Sequence, residues 1–272
     1  MTTRPPLDYS LIRDRRLMLA SPLAGNLCHF GYHQSVLSLF MLCVKERVKV
    51  GMKYVGCDSL VPRARNRLAA HFLDSPATDL LFVDSDIAFS PEDALSLMAL
   101  DEPIVGGVYP RKQHDWNRIA LAARAGYPPE SLAAHGYVPV MNWGAPGDYS
   151  LSSLIGVRHL GTGFLRIRRE VFTTLISNGS AVPFDYSADE PLFRGRTGYD
   201  FFPTGPDVRH PLGSGGRQYL SEDYAFCEMA RAAGFPLYAA PWVSLVHSGY
   251  CDFPGDLSIF DESLREELEA AK

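Results

Sequence analysis

The feature that most constrains the fold is a short apolar segment that ends in two closely spaced carboxylates. Residues 80–87 read Leu-Leu-Phe-Val-Asp-Ser-Asp-Ile, so four apolar residues lead directly into Asp84 and Asp86. A short apolar run that contains Phe and Val is typical of a buried strand in an α/β sheet. Such sheets bind ligands beyond the carboxyl ends of their strands, which is where both aspartates would lie. The segment therefore predicts an α/β fold with a polar site after this strand.

Two explanations fit this pair of carboxylates. Asp84 and Asp86 could form a turn and a helix cap, because Asp is common in both. Alternatively, two carboxylates held close together would share a cation or a proton. Hard divalent cations take such oxygen ligands together with substrate phosphates. The pair by itself leaves both explanations open.

Apolar periodicity places this segment within a series of alternating strands and helices. The expected strands are at 17–20, 48–55, 79–83 and 104–109, and the expected helices are at 32–46, 62–73 and 91–100. This alternation predicts a Rossmann-like, mostly parallel central sheet flanked by helices.

The second half of the chain is less regular. Residues 112–156 are expected to form an insertion with one short helix at 118–125, and residues 178–218 lack any periodicity. A loop of that length in a compact domain commonly binds substrate, so we predict that 178–218 orders when substrate binds. Between and after these insertions we expect a strand at 157–168 that is interrupted at 161–163, helices at 169–177 and 221–233, a strand at 237–246 broken at Pro241, and an amphipathic helix at 261–272.

Composition limits the class of protein. The 272 residues, 46% of them apolar, can bury a full core, and a net charge of −5 gives no general sign of nucleic-acid binding. Five scattered cysteines without a C-x-x-C spacing predict reduced thiols in a cytoplasmic protein. Charged residues from Arg4 to Arg16 argue against a signal peptide, and the apolar stretch 36–44 is too short to cross a bilayer.

Two further positions carry groups suited to catalysis. Ser221-Glu222-Asp223 begins a predicted helix, where the helix dipole would keep a carboxylate ionised and suit it to act as a base. Ordinary helix-start charge would explain the same residues. His247 follows an apolar segment, and a lone histidine is most often a hydrogen-bonded structural residue. Neither position is specific when taken alone.

Taken in order, however, these residues form a series of motifs: Pro62-Arg63-Ala64-Arg65-Asn66, Phe82-Val83-Asp84-Ser85-Asp86-Ile87, Gly106-Gly107-Val108-Tyr109-Pro110-Arg111-Lys112, Gly161-Thr162-Gly163-Phe164, Ser221-Glu222-Asp223 and His247-Ser248-Gly249. The series resembles the metal-dependent GT-A glycosyltransferases, especially the small enzymes of phages and large DNA viruses. The resemblance covers roughly 17–111 and 157–250. It implies a single GT-A domain, 1–272, with a nucleotide-sugar-binding half at 17–111 and an acceptor-side half at 112–272 that contains both insertions.

The resemblance also implies roles for individual residues. Asp86 would bind the metal directly, Asp84 would hold the donor ribose or bind the metal through water, and His247 would be a third ligand. A carboxylate and imidazole set suits Mn²⁺ better than Mg²⁺. The donor, expected to be a UDP-sugar, would lie against Ala20, Ser21, Pro22, Asp58, Arg63, Arg65, Asn66, Asp84, Ser85, Gly161 and Gly163. A solvated helix face would equally explain Arg63 and Arg65, and a strand bulge would explain the two glycines.

The catalytic base and the acceptor remain open at this level. If the reaction inverts configuration, Asp223 is predicted as the base over Glu222, because adjacent helix residues do not face the same way; a retaining enzyme would need no such base. The acceptor is expected to be a glycan or glycoconjugate hydroxyl, or a hydroxymethylated pyrimidine in phage DNA. A non-catalytic module that binds a sugar nucleotide or a nucleic acid is the alternative.

A DNA acceptor requires a basic face that contacts phosphates. Within 178–218, four arginines alternate with aromatic side chains that could stack on bases, although ordinary loop solvation would also explain the arginines. These residues are Arg194, Arg196, Arg209 and Arg217 with Phe193, Tyr199, Phe201 and Phe202.

Overall fold

The computed structural model describes residues 4–144, 150–186, 193–210 and 212–250. The helix predicted at 261–272 lies outside the described residues. The helices are α1 Phe30–Glu46, α2 Val61–Asp74, α3 Pro91–Ala99, α4 Trp116–Arg124, α5 Pro129–His135, α6 Arg169–Ser177 and α7 Glu222–Ala232, with 3₁₀ helices at Tyr9–Leu11 and Ala24–Asn26. In the described part of the chain, none of the helices has the length and apolar character needed to cross a membrane.

The strands form one large sheet and three small pairs. They are β1 Arg16–Leu23, β2 Lys49–Gly56, β3 Asp79–Val83, β4 Ile87–Ala88, β5 Ile104–Gly106, β6 Met141–Trp143, β7 Ile155–Leu160, β8 Phe164–Arg168, β9 Val182–Asp185, β10 Thr197–Asp200, β11 Gly205–Pro206, β12 Tyr219–Leu220, β13 Leu237–Ala239 and β14 Val246–His247. The large sheet has eight strands in the order β2-β1-β3-β8-β5-β13-β7-β6. Only β7 and β8 run against the other strands. This is the mostly parallel, Rossmann-like arrangement that the sequence predicted.

Strand β3 lies in the interior of the sheet, between β1 and β8, and all five of its residues are buried. Successive side chains of a strand point to opposite faces, so the continuous apolar run supplies both layers of core. Leu80 and Phe82 pack with residues of α2, α6 and α7, whereas Leu81 and Val83 pack with residues of α1 and α3. The strand therefore delivers Asp84 and Asp86 to the edge of a rigid, two-sided core.

The predicted first strand ends too early. Strand β1 continues through Ser21 and Pro22 to Leu23, where it still pairs with β2. Its pairing with β3 stops at Ala20 opposite Phe82, so the side of β1 that faces β3 has no ladder partner beyond that point. Proline lacks an N–H group and is tolerated where a ladder bond is not required. Pro22 therefore does not terminate the strand.

The two predicted insertions contain more regular structure than the sequence indicated. Residues 112–156 hold α4, α5 and β6, and the described part of 178–218 forms the antiparallel β9–β10 pair and β11, which pairs with β12. The predicted aromatic stacking surface is wrong for Phe193, Phe201 and Phe202, which are only 4%, 1% and 0% exposed. These side chains anchor the segment to the core.

The predicted basic face is also not open. Arg196 pairs with Asp74, and Arg209 binds both Asp207 and Glu228. Arg194 and Arg217 are exposed. Half of the arginines proposed to contact nucleic acid are therefore already paired with carboxylates.

Candidate active site

A pocket of about 190 Å³ opens at the carboxyl ends of β1, β2 and β3. This is the edge at which α/β sheets bind ligands. A larger pocket, about 340 Å³, lies at the opposite ends of β1 and β2, and none of the predicted site residues lines it. The smaller pocket is the better candidate because charged groups converge on it. Its lining residues are Pro22, Leu23, Ala24, Val55, Asp58, Val61, Ala64, Arg65, Asp84, Ser85 and Asp86.

A short strand pair brings His247 to Asp86. Strand β14 lies antiparallel to β4, with His247 opposite Ile87, and the Ser248 N–H donates to the Asp86 carbonyl over 2.8 Å. The Nδ1 atom of His247 is 2.7 Å from the Pro110 carbonyl oxygen, and its Nε2 atom is 3.4 Å from Asp86 Oδ1. The pairing of β14 with β4 thus places His247 next to Asp86, although the two residues are far apart in the chain.

The Asp86–His247 pair fits a metal ion. A carbonyl only accepts, so Nδ1 carries the hydrogen, and the Nε2 of a neutral ring presents its lone pair to Asp86. Asp86 Oδ1 is buried and has no hydrogen-bond partner within the described part of the chain. Two facing acceptors require a cation or a proton between them.

The protein would supply only part of the coordination. Over the described ranges, no group of three or more His, Cys, Asp or Glu residues is arranged to hold a metal. Asp84 is bonded to Arg65, so the structure brings together two of the three predicted ligands, Asp86 and His247. A divalent ion bound by one or two protein groups normally completes its shell with substrate phosphates and water.

Lys112 and Tyr109 belong to the site, although no role was predicted for either of them. The Lys112 Nζ atom binds Asp86 Oδ2. Burial alone would raise the pKa of Asp86, but Lys112 and the protonated form of His247 outweigh it and lower that pKa to about 2 when no metal ion is bound. The Tyr109 ring packs edge-on against His247, with 5.3 Å between centroids. The available signal was their position directly after β5, at the same edge of the sheet.

Arg65 connects the two halves of the site. Its side chain is only 3% exposed, so a solvated helix face is wrong for this residue. One Nη2 bond of 2.9 Å reaches Asp84 Oδ1, and its Nε atom lies 3.5 Å from Glu222 Oε1. The guanidinium of Arg65 thereby contacts two carboxylates, that of Asp84 after β3 and that of Glu222 at the start of α7. It also lines the pocket, as predicted for the donor side.

Asp223 is a partly buried carboxylate at the start of α7. Its Oδ1 atom accepts from the Ser221 hydroxyl and from the Tyr224 N–H, the latter over 2.8 Å. Burial, followed by the nearby charge of Glu222, raises the pKa of Asp223 above its ordinary value. The expectation that the helix terminus alone sets this group is therefore incomplete, because burial outweighs the favourable contacts. A carboxylate with a raised pKa is a stronger base, which suits proton abstraction.

Six predicted donor-side residues do not line the pocket, namely Ala20, Ser21, Arg63, Asn66, Gly161 and Gly163. Because β1 extends to Leu23, Ala20 lies in the core and the Ser21 hydroxyl lies 2.6 Å from the Tyr32 hydroxyl. Asn66 donates to Asp200 over 2.7 Å and accepts from the Phe201 N–H over 2.9 Å, which fastens that segment to α2. Arg63 is turned toward Asp58.

Asp58 does line the pocket, but its carboxylate is occupied. The side chain is 1% exposed, and its oxygens are bound by Arg63 and Arg67. Burial alone would raise the pKa of Asp58, yet the hydrogen bonds from Arg63 outweigh it and the pKa lies below its usual range. In this arrangement, the residue shapes the pocket wall through two arginines. Pro22 and Ser85 are the other predicted donor-side residues on this wall.

The two glycines of the 161–163 turn serve close packing against Tyr109. A Cβ at Gly161 would lie 2.1 Å from the Tyr109 Oη atom, and one at Gly163 would lie 2.7 Å from Ile87 Cδ1. The Gly163 carbonyl accepts from the Asp84 N–H over 3.0 Å, and its N–H donates to Tyr109 Oη over 3.3 Å. Contact with Tyr109 and Ile87 excludes a side chain at these positions.

We expect Gly163→Ala to lower the free energy of unfolding by about 1–3 kcal/mol, because the new methyl group must displace Ile87 or Tyr109 in a packed region. Gly156→Ala is the matched control, since nothing lies within 4 Å of a Cβ at that position. Urea unfolding of both variants measures the difference. Equal stability of the two variants would show that the 161–163 turn moves freely and does not fix Asp84.

Comparisons with known proteins give the following result. No protein-family model matches the sequence, and no curated protein is significantly similar to it. The crystal structure of A197 from STIV aligns with a TM-score of 0.44 and 15% identity over 87% of this chain and 86% of that chain. A glycosyltransferase involved in the glycosylation of the major capsid of PBCV-1 aligns with a TM-score of 0.27 and 11% identity over 66% of this chain and 79% of that chain. Both TM-scores are low, so the function is inferred below from the side chains of the site.

Proposed function

We propose that this chain is a metal-dependent glycosyltransferase that transfers a sugar from a nucleotide-diphosphate sugar to an acceptor hydroxyl. The observation that carries the proposal is the Asp86–His247 pair at the mouth of the pocket. An orphaned carboxylate oxygen faces an imidazole nitrogen whose partner nitrogen is already bonded to a carbonyl. That arrangement is the usual support of a metal-ligating histidine.

The residues around this pair have distinct tasks in the proposed reaction. Asp86 Oδ1 and His247 Nε2 would hold a divalent ion, which when bound neutralises the charge that develops on the departing diphosphate. Lys112 keeps Asp86 ionised and fixes the orientation of its carboxylate. Arg65 adds a buried positive charge on the opposite wall, where it holds Asp84 in place.

Asp223 is the proposed base of an inverting reaction. The proton of the acceptor hydroxyl passes to the carboxylate of Asp223 as the acceptor oxygen bonds to the sugar, and the bond between the sugar and the diphosphate breaks. Glu222 is less suited to this task because it lies near the guanidinium of Arg65, at 3.5 Å. The assignment of Asp223 over Glu222 therefore has a structural reason in addition to the helix geometry.

The finer identity of the substrates follows from the resemblance and belongs to the same proposal. We take a UDP-sugar as the donor and Mn²⁺, or Mg²⁺, as the ion. The acceptor is a glycan or glycoconjugate hydroxyl, or a hydroxymethylated pyrimidine in DNA. A cytoplasmic location is consistent with free thiols at the four described cysteines, Cys28, Cys43, Cys57 and Cys227.

A screen of sugar nucleotides tests the proposal. We expect one UDP-sugar to release nucleoside diphosphate slowly when Mn²⁺ is present, with no release in chelator and recovery when Mn²⁺ is restored. Addition of hydroxymethylated DNA or of a glycan should then accelerate the release for one acceptor class. If no sugar nucleotide binds by calorimetry and none is hydrolysed, the glycosyltransferase assignment is wrong. Binding without any turnover would instead favour a non-catalytic module.

A further inference from the structure

The outward face of α1 is apolar and exposed in the part of the chain that the structure describes. Four of its exposed residues are large apolar side chains, which we call the α1 stripe. A surface helix normally carries polar residues on its outer side, and a helix that is apolar all round is buried against a partner. The buried side of α1 already packs on the core through Tyr32, Val36, Leu39 and Cys43. The α1 stripe consists of Phe30, Leu37, Met41 and Val44, which are 73%, 52%, 74% and 78% exposed.

The described chain ends beside this stripe. The ring of Tyr250 lies 6.5 Å from the ring of His29, which is the residue that caps the start of α1. The chain that follows Tyr250 therefore leaves the described fold next to Phe30, the first residue of the stripe. A segment tethered at that point has a high effective concentration at the stripe compared with any separate molecule.

The sequence after Tyr250 has the chemistry of a partner for this face. Leu257, Phe260, Leu264 and Leu268 are separated by three, four and four residues, which is the spacing of side chains on one side of a helix. Leu264 and Leu268 belong to the helix predicted at 261–272, and the other two precede it. The same segment, 251–272, contains seven acidic and two basic residues. This difference equals the −5 net charge of the whole chain, so the remainder of the protein is balanced.

Charge and length agree with such a docking. The far end of α1 carries the exposed Lys45 and is followed by the exposed Arg47. An acidic segment that starts near His29 and runs along α1 would bring its later glutamates to these two cations. At 1.5 Å per residue, α1 is about 25 Å long and the helix predicted at 261–272 is about 18 Å long, so the stripe is long enough to accept it.

We propose that residues 251–272 dock through their apolar side on the α1 stripe of the same chain. The inference does not depend on the proposed function. Its consequence is that the segment braces the strand of His247, because β14 leads into it and pairs with β4. In turn, β4 is held by α1, where the Ser35 hydroxyl accepts from the Phe89 N–H over 2.9 Å.

Hydrogen exchange of the full chain tests the docking. We expect the amides of 257–268 to exchange at least about tenfold more slowly than an unprotected peptide. Leu37→Gln with Met41→Gln should abolish this protection, because both side chains are exposed and their loss removes only the docking surface. Gln34→Ala with Ser38→Ala is the matched control on the same outward face and should retain it.

The other possible occupants of the stripe give different results. Sedimentation should show a monomer whose tail is protected at every protein concentration. Protection that appears only when a dimer forms would assign the stripe to a second copy and overturn the proposal. Binding to anionic lipid vesicles that depends on Leu37 and Met41, with a freely exchanging tail, would assign it to a membrane surface. A tail that is unprotected in the unmodified protein, or protected in both double variants, also overturns the proposal.

Discussion

Replacing Asp86 by alanine is expected to abolish sugar transfer while the chain remains folded. The carboxylate presents one buried oxygen to His247 and the other to Lys112, so it is the link between the ion site and the pocket. Its removal leaves His247 as a single protein ligand, and the charge of the departing diphosphate is then poorly neutralised. We expect a loss of at least about 10²–10³-fold in turnover, in line with the removal of one electrostatic stabilising group from an active site. Initial rates at saturating donor and Mn²⁺ measure the effect.

Two further variants separate the role of the charge from that of the fold. Asp86→Asn retains the shape of the side chain and removes its charge, so it should be nearly as impaired as the alanine variant. Asp14→Ala changes an exposed aspartate that precedes β1, at the opposite edge of the sheet, and should leave the rate unchanged. Thermal unfolding should be similar for all three variants. Near-normal turnover of Asp86→Asn, or full activity of the unmodified enzyme in chelator, would remove the ion from the proposed mechanism.

The first half of the fold could be predicted because its signals are local. The strand at 79–83 is recognisable from five consecutive residues, and α2 from a face formed by Leu68, Ala69 and Phe72. The extent of β1 could not be predicted in the same way. Whether a proline ends a strand depends on which neighbouring strands pair with it at that point. The sequence does not show that the pairing between β1 and β3 ends at Ala20 and Phe82.

The insertions were underestimated for a related reason. Periodicity reports an element that repeats its burial pattern, whereas the 193–202 segment is held by single anchors such as Phe201 and Phe202. The side-chain amide of Asn66 bonds to Asp200, which is 134 positions away in the sequence. Because this partner cannot be recognised from the sequence, Asn66 was predicted to be a donor-side residue. A chain that is ordered by isolated long-range contacts has no pattern that sequence reasoning can detect.

The candidate site shows the same division. Apolar segments followed by polar residues identified Asp84, Asp86 and His247. The two aspartates lie at the carboxyl edge of the large sheet, where side chains converge, whereas His247 reaches them through the separate β14–β4 pair. The partner that each group takes was not predictable. Arg65 binds Asp84 and lies near Glu222 because the start of α7 comes close to α2 at this edge, and the relative placement of these two helices is a property of the packed core.

The second large effect is expected at Asp223. Replacement by asparagine keeps the size of the side chain and its acceptor oxygen for the Tyr224 N–H, but removes the group proposed to take the acceptor proton. A positioned base contributes about 10²–10⁴-fold in rate, so turnover should fall by at least two orders of magnitude while donor affinity changes little. Glu222→Gln, at the adjacent position, is the matched control and should be much less impaired.

The pH dependence of the rate provides an independent measurement. Asp223 acts in its ionised form, and burial raises its pKa, so the rate of the unmodified enzyme should fall with decreasing pH earlier than an ordinary aspartate would require. The residual rate of Asp223→Asn should lack this acid limb. A matched change in stability is also expected. A carboxyl group whose pKa is higher in the folded than in the unfolded state stabilises the fold fully below the unfolded-state pKa. This contribution is lost as the pH rises through the folded-state pKa.

At neutral pH the ionised Asp223 is therefore a cost to the fold, and Asp223→Asn should be at least as stable as the unmodified protein in urea while being severely slower. A gain in stability accompanied by a loss of rate is typical of a group that is retained for function. If Glu222→Gln is crippled and Asp223→Asn is nearly normal, the two carboxylates have exchanged roles. If neither substitution slows the reaction, no base of α7 takes the acceptor proton and the transfer proceeds with retention of configuration.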